Sequence, residues 1–154
     1  MILSTKGRYA LIAMAYMARK DIFEKSSVSE ISESQAISQT YLEQLFMRLR
    51  KANLLKSVRG AGGGFTLNKH PNSIRVHDIM KAVDENFEAV DGKQSVFQLS
   101  KKTDEYLLAE KFWEQFSSQL YLFMRKITLE DIASDLMEPC QAVINFSDIH
   151  DASI

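Results

Sequence analysis

The chain has 154 residues, 45% of them apolar and 25% charged, which suits one globular domain or a small domain with an appended helical region and excludes a disordered or fibrous chain. Its formal net charge of −1 hides a division, because residues 1–75 carry twelve Lys/Arg against five Asp/Glu while residues 76–154 carry seven against fifteen. A basic half joined to an acidic half is the pattern of a protein that turns one part toward a polyanion.

The opening stretch, "MILSTKGRYALIAMAYMARK", has the basic residues and apolar run of a secretion signal, but its apolar positions Tyr9, Ile12, Ala13, Tyr16 and Met17 follow helical spacing. It is read as an amphipathic core helix capped by Ser4 or Thr5. No run reaches the roughly 20 apolar residues of a membrane span. Cys140 stands alone, so an intrachain disulfide is excluded. The expectation is a cytoplasmic protein with no membrane partner.

"VSEISESQAISQTYLEQLFMRLRKANLL" reads as two helices broken near Ala36 to Gln39. In the second, Leu42, Leu45, Phe46 and Leu49 repeat at i, i+3, i+4, i+7 and bury one face. Thr40, Gln44, Met47 and Lys51 lie along the other, with Tyr41 and Arg48 beside them. "KSVRGAGGGFTLNK" alternates like two short strands around a pliant glycine tip, Leu55, Ser57 and Val58 going out and Phe65 and Leu67 coming back. "SIRVHDIMKAVDE" gives a short helix with Val76, Ile79, Met80 and Val83 inward, ending near Asp84.

Residues 86–103 lose periodicity and read as a connector. Beyond it Leu108, Phe112, Phe116, Leu120, Phe123 and Ile127 recur at helical intervals, so "DEYLLAEKFWEQFSSQLYLFMRK" predicts one helix of about 34 Å. Leu107, Trp113 and Met124 widen its stripe beyond what a domain of this size can cover, and a second copy is the simplest partner. "ITLEDIA" begins a last short helix with Thr128 as cap. The expected organisation is a DNA-binding unit over 1–85, the connector over 86–103, a dimerisation helix with its short follower over 104–136, and a tail over 137–154.

The glycine run from Gly60 to Gly64 fails as a phosphate loop. A nucleotide-binding loop ends in Gly-Lys-Ser/Thr, and here Gly64 is followed by Phe65. A dinucleotide fingerprint opens a helix, whereas a strand follows here. His70, His77 and His150 lack zinc spacing, and no cysteine adjoins a histidine, so neither an enzyme nor a metal site is expected.

A helix-turn-helix accounts for the same residues. Ser38, Gln39, Thr40, Tyr41 and Gln44 sit at the amino end of the second helix, where a recognition helix meets base edges, and Gln pairs bidentately with adenine. Arg59 at the hairpin tip suits a narrow minor groove. Glu43 is discordant near phosphates unless it accepts from a cytosine amino group. Other uses stand beside these: Ser38 as a helix cap, Tyr41 as a core residue, Arg48, Arg50 and Lys51 as a solvated face.

The stretches "STKGRYA", "ISQTYLEQLF.RLRKANL", "SVRGAGGGF", "AVDE" and "ITLEDI" resemble those of the IscR-like (Rrf-type) winged helix-turn-helix transcription regulators, from Met1 to about Ala133. The resemblance implies a mostly α fold, a small β-hairpin wing and a long C-terminal dimerisation helix. It implies a homodimer on palindromic or near-palindromic promoter DNA, as repressor or activator, with Ser38, Thr40, Tyr41 and Gln44 in the groove, Arg59 and Gly60 at the wing, and Lys6 and Arg8 on phosphate. Cluster-binding members carry three cysteines in the connector and commonly a histidine shortly after. Here Leu107 falls at the last cysteine's place and Glu110 at the histidine's, and the connector has neither residue type. No cofactor is expected, and the controlling signal is left to an effector ligand, a partner protein or Cys140 oxidation. Two rivals remain: a sensor built on the connector and Cys140, and a protein-interaction module built on the long helix.

Overall fold

The computed structural model of the chain describes residues 4–21, 24–83 and 103–137. The connector except Thr103, the tail beyond Met137, Cys140 and His150 lie outside the described residues. Six helices and one hairpin follow in the order α1 (Thr5–Ala18), α2 (Val28–Gln35), α3 (Gln39–Lys51), β1 (Leu55–Val58), β2 (Gly64–Leu67), a 3-10 turn (Pro71–Ser73), α4 (Val76–Ala82), α5 (Asp104–Lys126) and α6 (Leu129–Ala133). No described helix is long and apolar enough to cross a membrane.

The expected face of α1 holds except at Ile12. Its buried residues are Gly7, Ala10, Ala13, Met14 and Met17, while Ile12 is exposed and Tyr9 and Tyr16 are only half-buried. α1 packs on α3, α4 and α6, and small side chains are what let helix axes come close. Ser4 does occupy the N-cap position, but its hydroxyl makes no capping bond and is buried without a partner among the described residues.

α2 opens at Ser27, whose hydroxyl accepts from the Glu30 N–H at 3.0 Å, and closes at Ala36 in the left-handed region, φ 52°. The Ile37 N–H returns to the Ser32 carbonyl, which turns the chain into α3. α3 buries Leu42, Leu45, Phe46 and Leu49 as its periodicity predicts. It ends with Asn53 at φ 59°, the Asn53 N–H donating to the Arg50 carbonyl and the Leu54 N–H to the Leu49 carbonyl. That paired closure satisfies the last carbonyls and reverses the chain directly into β1.

β1 and β2 are antiparallel with Leu55 opposite Leu67, Lys56 opposite Thr66, Ser57 opposite Phe65 and Val58 opposite Gly64. Alternation turns Leu55, Leu67 and Phe65 toward the helices and Lys56, Val58 and Thr66 away. Ser26 pairs with Phe65 across the outer edge of β2, giving the hairpin a one-residue third strand. The main core joins α1, α2, α3, the hairpin, α4 and α6, with Phe46, Met14, Ile31 and Leu42 among its fully buried side chains.

α5 runs for 23 residues, as expected, from a Thr103 cap, and among the described residues its carboxyl half packs on the body. Met124 is buried with Val76 and Met80, and Leu120 and Ile127 pack on the same cluster. The end of α5 is tied down by backbone bonds from the Val76 N–H to the Ile127 carbonyl, 3.0 Å, and from the Leu129 N–H to the Ile74 carbonyl, 2.8 Å. The Arg75 guanidinium reaches the Lys126 carbonyl at 3.1 Å, and the His77 ring meets Tyr121 edge-on with centroids 4.8 Å apart. Thr128 caps α6 reciprocally: its hydroxyl accepts from the Asp131 N–H, and the Asp131 carboxylate accepts from the Thr128 N–H and hydroxyl.

Candidate nucleic-acid interface

The outward face of α3 begins at Ser38, whose hydroxyl accepts from the Tyr41 N–H at 3.5 Å. Gln39, Thr40, Glu43 and Gln44 are exposed along the first two turns, and Met47 continues that face at 53% exposure. The Gln39 amide donates to the Glu43 carboxylate at 3.2 Å, so the discordant acid is held by a neighbour one turn away. Tyr41 behaves differently from its neighbours. Its ring is half-buried and meets Tyr9 edge-on at 5.8 Å, which sets the first turn of α3 beside the first turns of α1. Lys6 and Arg8, on the turns that carry Tyr9, are exposed there. Arg48 is half-buried and engaged with a neighbour.

The hairpin shares the core with the same helix, and two side-chain contacts add to that. Phe65 meets Phe46 edge-on with ring centroids 5.1 Å apart, and the Arg50 guanidinium donates to the Ser57 hydroxyl at 3.0 Å. Arg50, expected in a solvated charge run, therefore fastens the wing to α3.

At the tip Arg59 and Gly60 are exposed, and the Gly63 N–H closes a turn onto the Gly60 carbonyl at 2.9 Å. Gly60 at φ 112° and Gly62 at φ 65° occupy backbone space that other residues rarely adopt. The expected pliancy of this run is corrected at its far end. A Cβ on Gly63 would stand 2.7 Å from the Val58 carbonyl oxygen, and one on Gly64 would stand 2.6 Å from the Ser26 carbonyl oxygen. These two glycines serve close backbone approach, not freedom. Lys25 had no expected role, yet its ammonium comes within 3.5 Å of the Cβ position at Gly62 and adds a cation at the glycine tip. No periodicity or motif flags a residue brought to the wing by a loop.

The structure thus gathers Ser38, Gln39, Thr40, Glu43 and Gln44 on one exposed helix face, with the Tyr9–Tyr41 contact bringing α1 alongside and the wing fastened behind. The expected dimerisation stripe divides. Leu108, Phe112, Trp113, Phe116 and Phe123 are exposed at 65%, 58%, 52%, 40% and 53%, whereas Leu120 and Ile127 turn inward onto the body.

A three-helix core, a second helix with a polar outer face and a two-stranded wing attached to it define a winged helix-turn-helix, the class of DNA-binding transcription regulators. Residues 3–135 match the Rrf2 family model, described as iron-dependent transcriptional regulators, and the chain belongs to that family. It is 41% identical over 145 residues to the HTH-type transcriptional regulator IscR of Cereibacter sphaeroides, covering 93% of this chain and 94% of that one. It is 39% identical over 155 residues to IscR of Citrobacter koseri, covering 99% and 90%. Among solved structures it is similar to CymR, the global cysteine regulator of B. subtilis, with TM-score 0.73 and 32% identity, covering 88% of this chain and 98% of that one. T. potens IscR gives TM-score 0.71 and 33% identity over 97% and 96%. These relatives are transcription regulators, not enzymes.

Proposed function

We propose that the chain acts in the cytoplasm as a homodimer on a palindromic or near-palindromic promoter site, with each α3 in a major groove and each wing on the flanking minor groove. Gln44, Gln39, Thr40 and Glu43 meet base edges, Ser38 meets phosphate or base, and Tyr41 holds the first turn against α1. Arg59 and the open backbone of Gly60 approach the wing-side groove. Lys6, Arg8 and Arg48 grip phosphates. The observation that carries this is the division of α3: four apolar residues buried on one side, and Gln39, Thr40, Glu43 and Gln44 exposed together over the first two turns of the other. A core helix gains nothing from that grouping, whereas groove readout requires it.

The same reading makes this a regulator without an iron–sulfur cluster. Such clusters are held by sets of thiolates, and one cysteine in 154 residues cannot supply a set. Self-association draws on the exposed apolar residues of α5, a surface with no covering among the described residues.

Fluorescence anisotropy on the chain's own upstream region and on a scrambled duplex tests the reading. Binding to the upstream region is expected to weaken with salt along a log-log slope of roughly −5 to −7, as for three or four phosphates per protomer. Gln44→Ala is expected to cost about 1 to 3 kcal/mol on the specific duplex and little on the scrambled one. Equal losses on both would refute base readout by Gln44.

A further inference from the structure

We propose that the face of the wing turned away from α3 carries a binding cleft for an oxyanion, a carboxylate or phosphate group. The inference goes beyond the groove-reading role, because the strand register puts this cleft on the opposite side of the hairpin from Ser57 and Phe65, the residues that hold α3.

The cleft has a volume of about 340 Å³, and its polar walls are Lys56, Thr66, Asn68, Lys69 and His70. No carboxylate lines it among the described residues. Thr66 is 4% exposed, and its hydroxyl has no hydrogen-bond partner among the described residues. A buried hydroxyl left unmatched is costly, and native structures seldom tolerate one without a purpose. Lys56 and Lys69 are exposed and form no ion pair among the described residues.

The His70 Nδ1 accepts from the Asn72 N–H at 3.3 Å, so in the neutral ring the proton sits on Nε2, leaving a donor outward. The Asn68 amide nitrogen is spent on the Asn53 carbonyl at 3.1 Å, which fixes the base of the hairpin to the turn after α3. The side chains around the cleft thus offer two ammonium groups, a hydroxyl and a ring N–H, and what satisfies all of them is a group of negatively charged oxygens. Val58 adds apolar surface to the wall, which suits an organic anion with a short carbon body.

Such an occupant has two sources, a free small molecule or a backbone phosphate of bound DNA, and the test separates them. The 15N-labelled full chain is titrated with sodium phosphate, sodium chloride holding ionic strength constant, and the amides of Thr66, Asn68, Lys69 and His70 are followed by NMR. A saturable shift at these amides is expected. Thr66→Val, which keeps the shape, is expected to weaken it about tenfold, since a hydrogen bond to a charged group is lost. The exposed pair Lys56→Gln with Lys69→Gln is expected to abolish it.

The titration is repeated with a saturating scrambled duplex. Phosphate that still saturates the same amides marks a free anion as the ligand. Amides shifted by the duplex itself, with phosphate then excluded, mark the DNA backbone. Shifts that never saturate, that sodium chloride reproduces, or that persist unchanged in the lysine double variant overturn the proposal, as does unaltered affinity in Thr66→Val with an otherwise native spectrum.

Discussion

Ala36 sits in left-handed backbone at the turn between α2 and α3, exposed, with no contact that asks for its methyl group. A Cβ there opposes the carbonyl it follows, and glycine avoids the conflict at some cost in unfolded-chain entropy. Ala36→Gly is therefore expected to stabilise the fold by about 0.5 to 1 kcal/mol, read as a higher urea midpoint with unchanged slope. Glu30 supplies a second test at this scale. Its carboxylate is held below the usual glutamate range first by the Lys20 ammonium and then by the Tyr16 hydroxyl, which donates to it at 2.8 Å. The ammonium of Lys20 is held correspondingly high by the same bond.

A carboxyl lowered on folding stabilises the native state above its unfolded value, and that contribution disappears as pH falls through the folded value. A raised lysine contributes below its unfolded value and loses the contribution as pH climbs through the folded one. The pair thus acts across the neutral range and fails at both extremes. Because it lies at the surface, Glu30→Gln is expected to cost only about 0.2 to 1 kcal/mol at pH 7. The variant and parent urea curves should draw together as the pH falls through the lowered folded value of Glu30.

Among the elements, α6 depends on a single reciprocal cap. The Asp131 carboxyl is held low chiefly by the Thr128 backbone N–H, then by its hydroxyl, so the cap is complete above the usual aspartate range and opens below it. Thr128→Ala is expected to cost about 1 kcal/mol by thermal or urea unfolding, with local hydrogen exchange rising first in α6.

The elements also show what could be read before any coordinates. α3 and α5 were legible end to end, since their large apolar residues recur at helical intervals and nothing else competes for those positions. α1 was legible as a helix and in part by face: Ala13 and Met17 are buried and Tyr9 and Tyr16 pack against the core as their spacing predicts, while Ile12 is exposed and the small Gly7 and Ala10, outside that pattern, are buried. The wing was legible as a hairpin, yet its attachment through Arg50 and Ser57 was not. A bond between residues seven apart on different elements leaves no mark on periodicity. Leu120 and Ile127 fall on the same sequence stripe as Phe112 and Phe116, and only the docking of α5 tells the inward pair from the outward ones.

At the level of the molecule, α5 lies in the acidic half of the chain, and the basic half carries α3 and the wing. Under the dimer reading, Phe112→Glu combined with Trp113→Glu is expected to shift sedimentation to the monomer while leaving the far-ultraviolet spectrum of the body intact. A dimer of unchanged stability in that variant would move the interface off α5. DNA affinity should fall with it, because two linked half-site contacts reinforce each other far beyond either alone.

The backbone bonds that bind the foot of α5 to the start of α4 make that helix a rigid spoke fixed at one end. Over a length of about 34 Å each degree of tilt at the foot carries the far end through about 0.6 Å. Under the dimer reading, a second copy docked on the distal turns therefore sets the bearing of the whole body, and with it the distance between the two α3 helices.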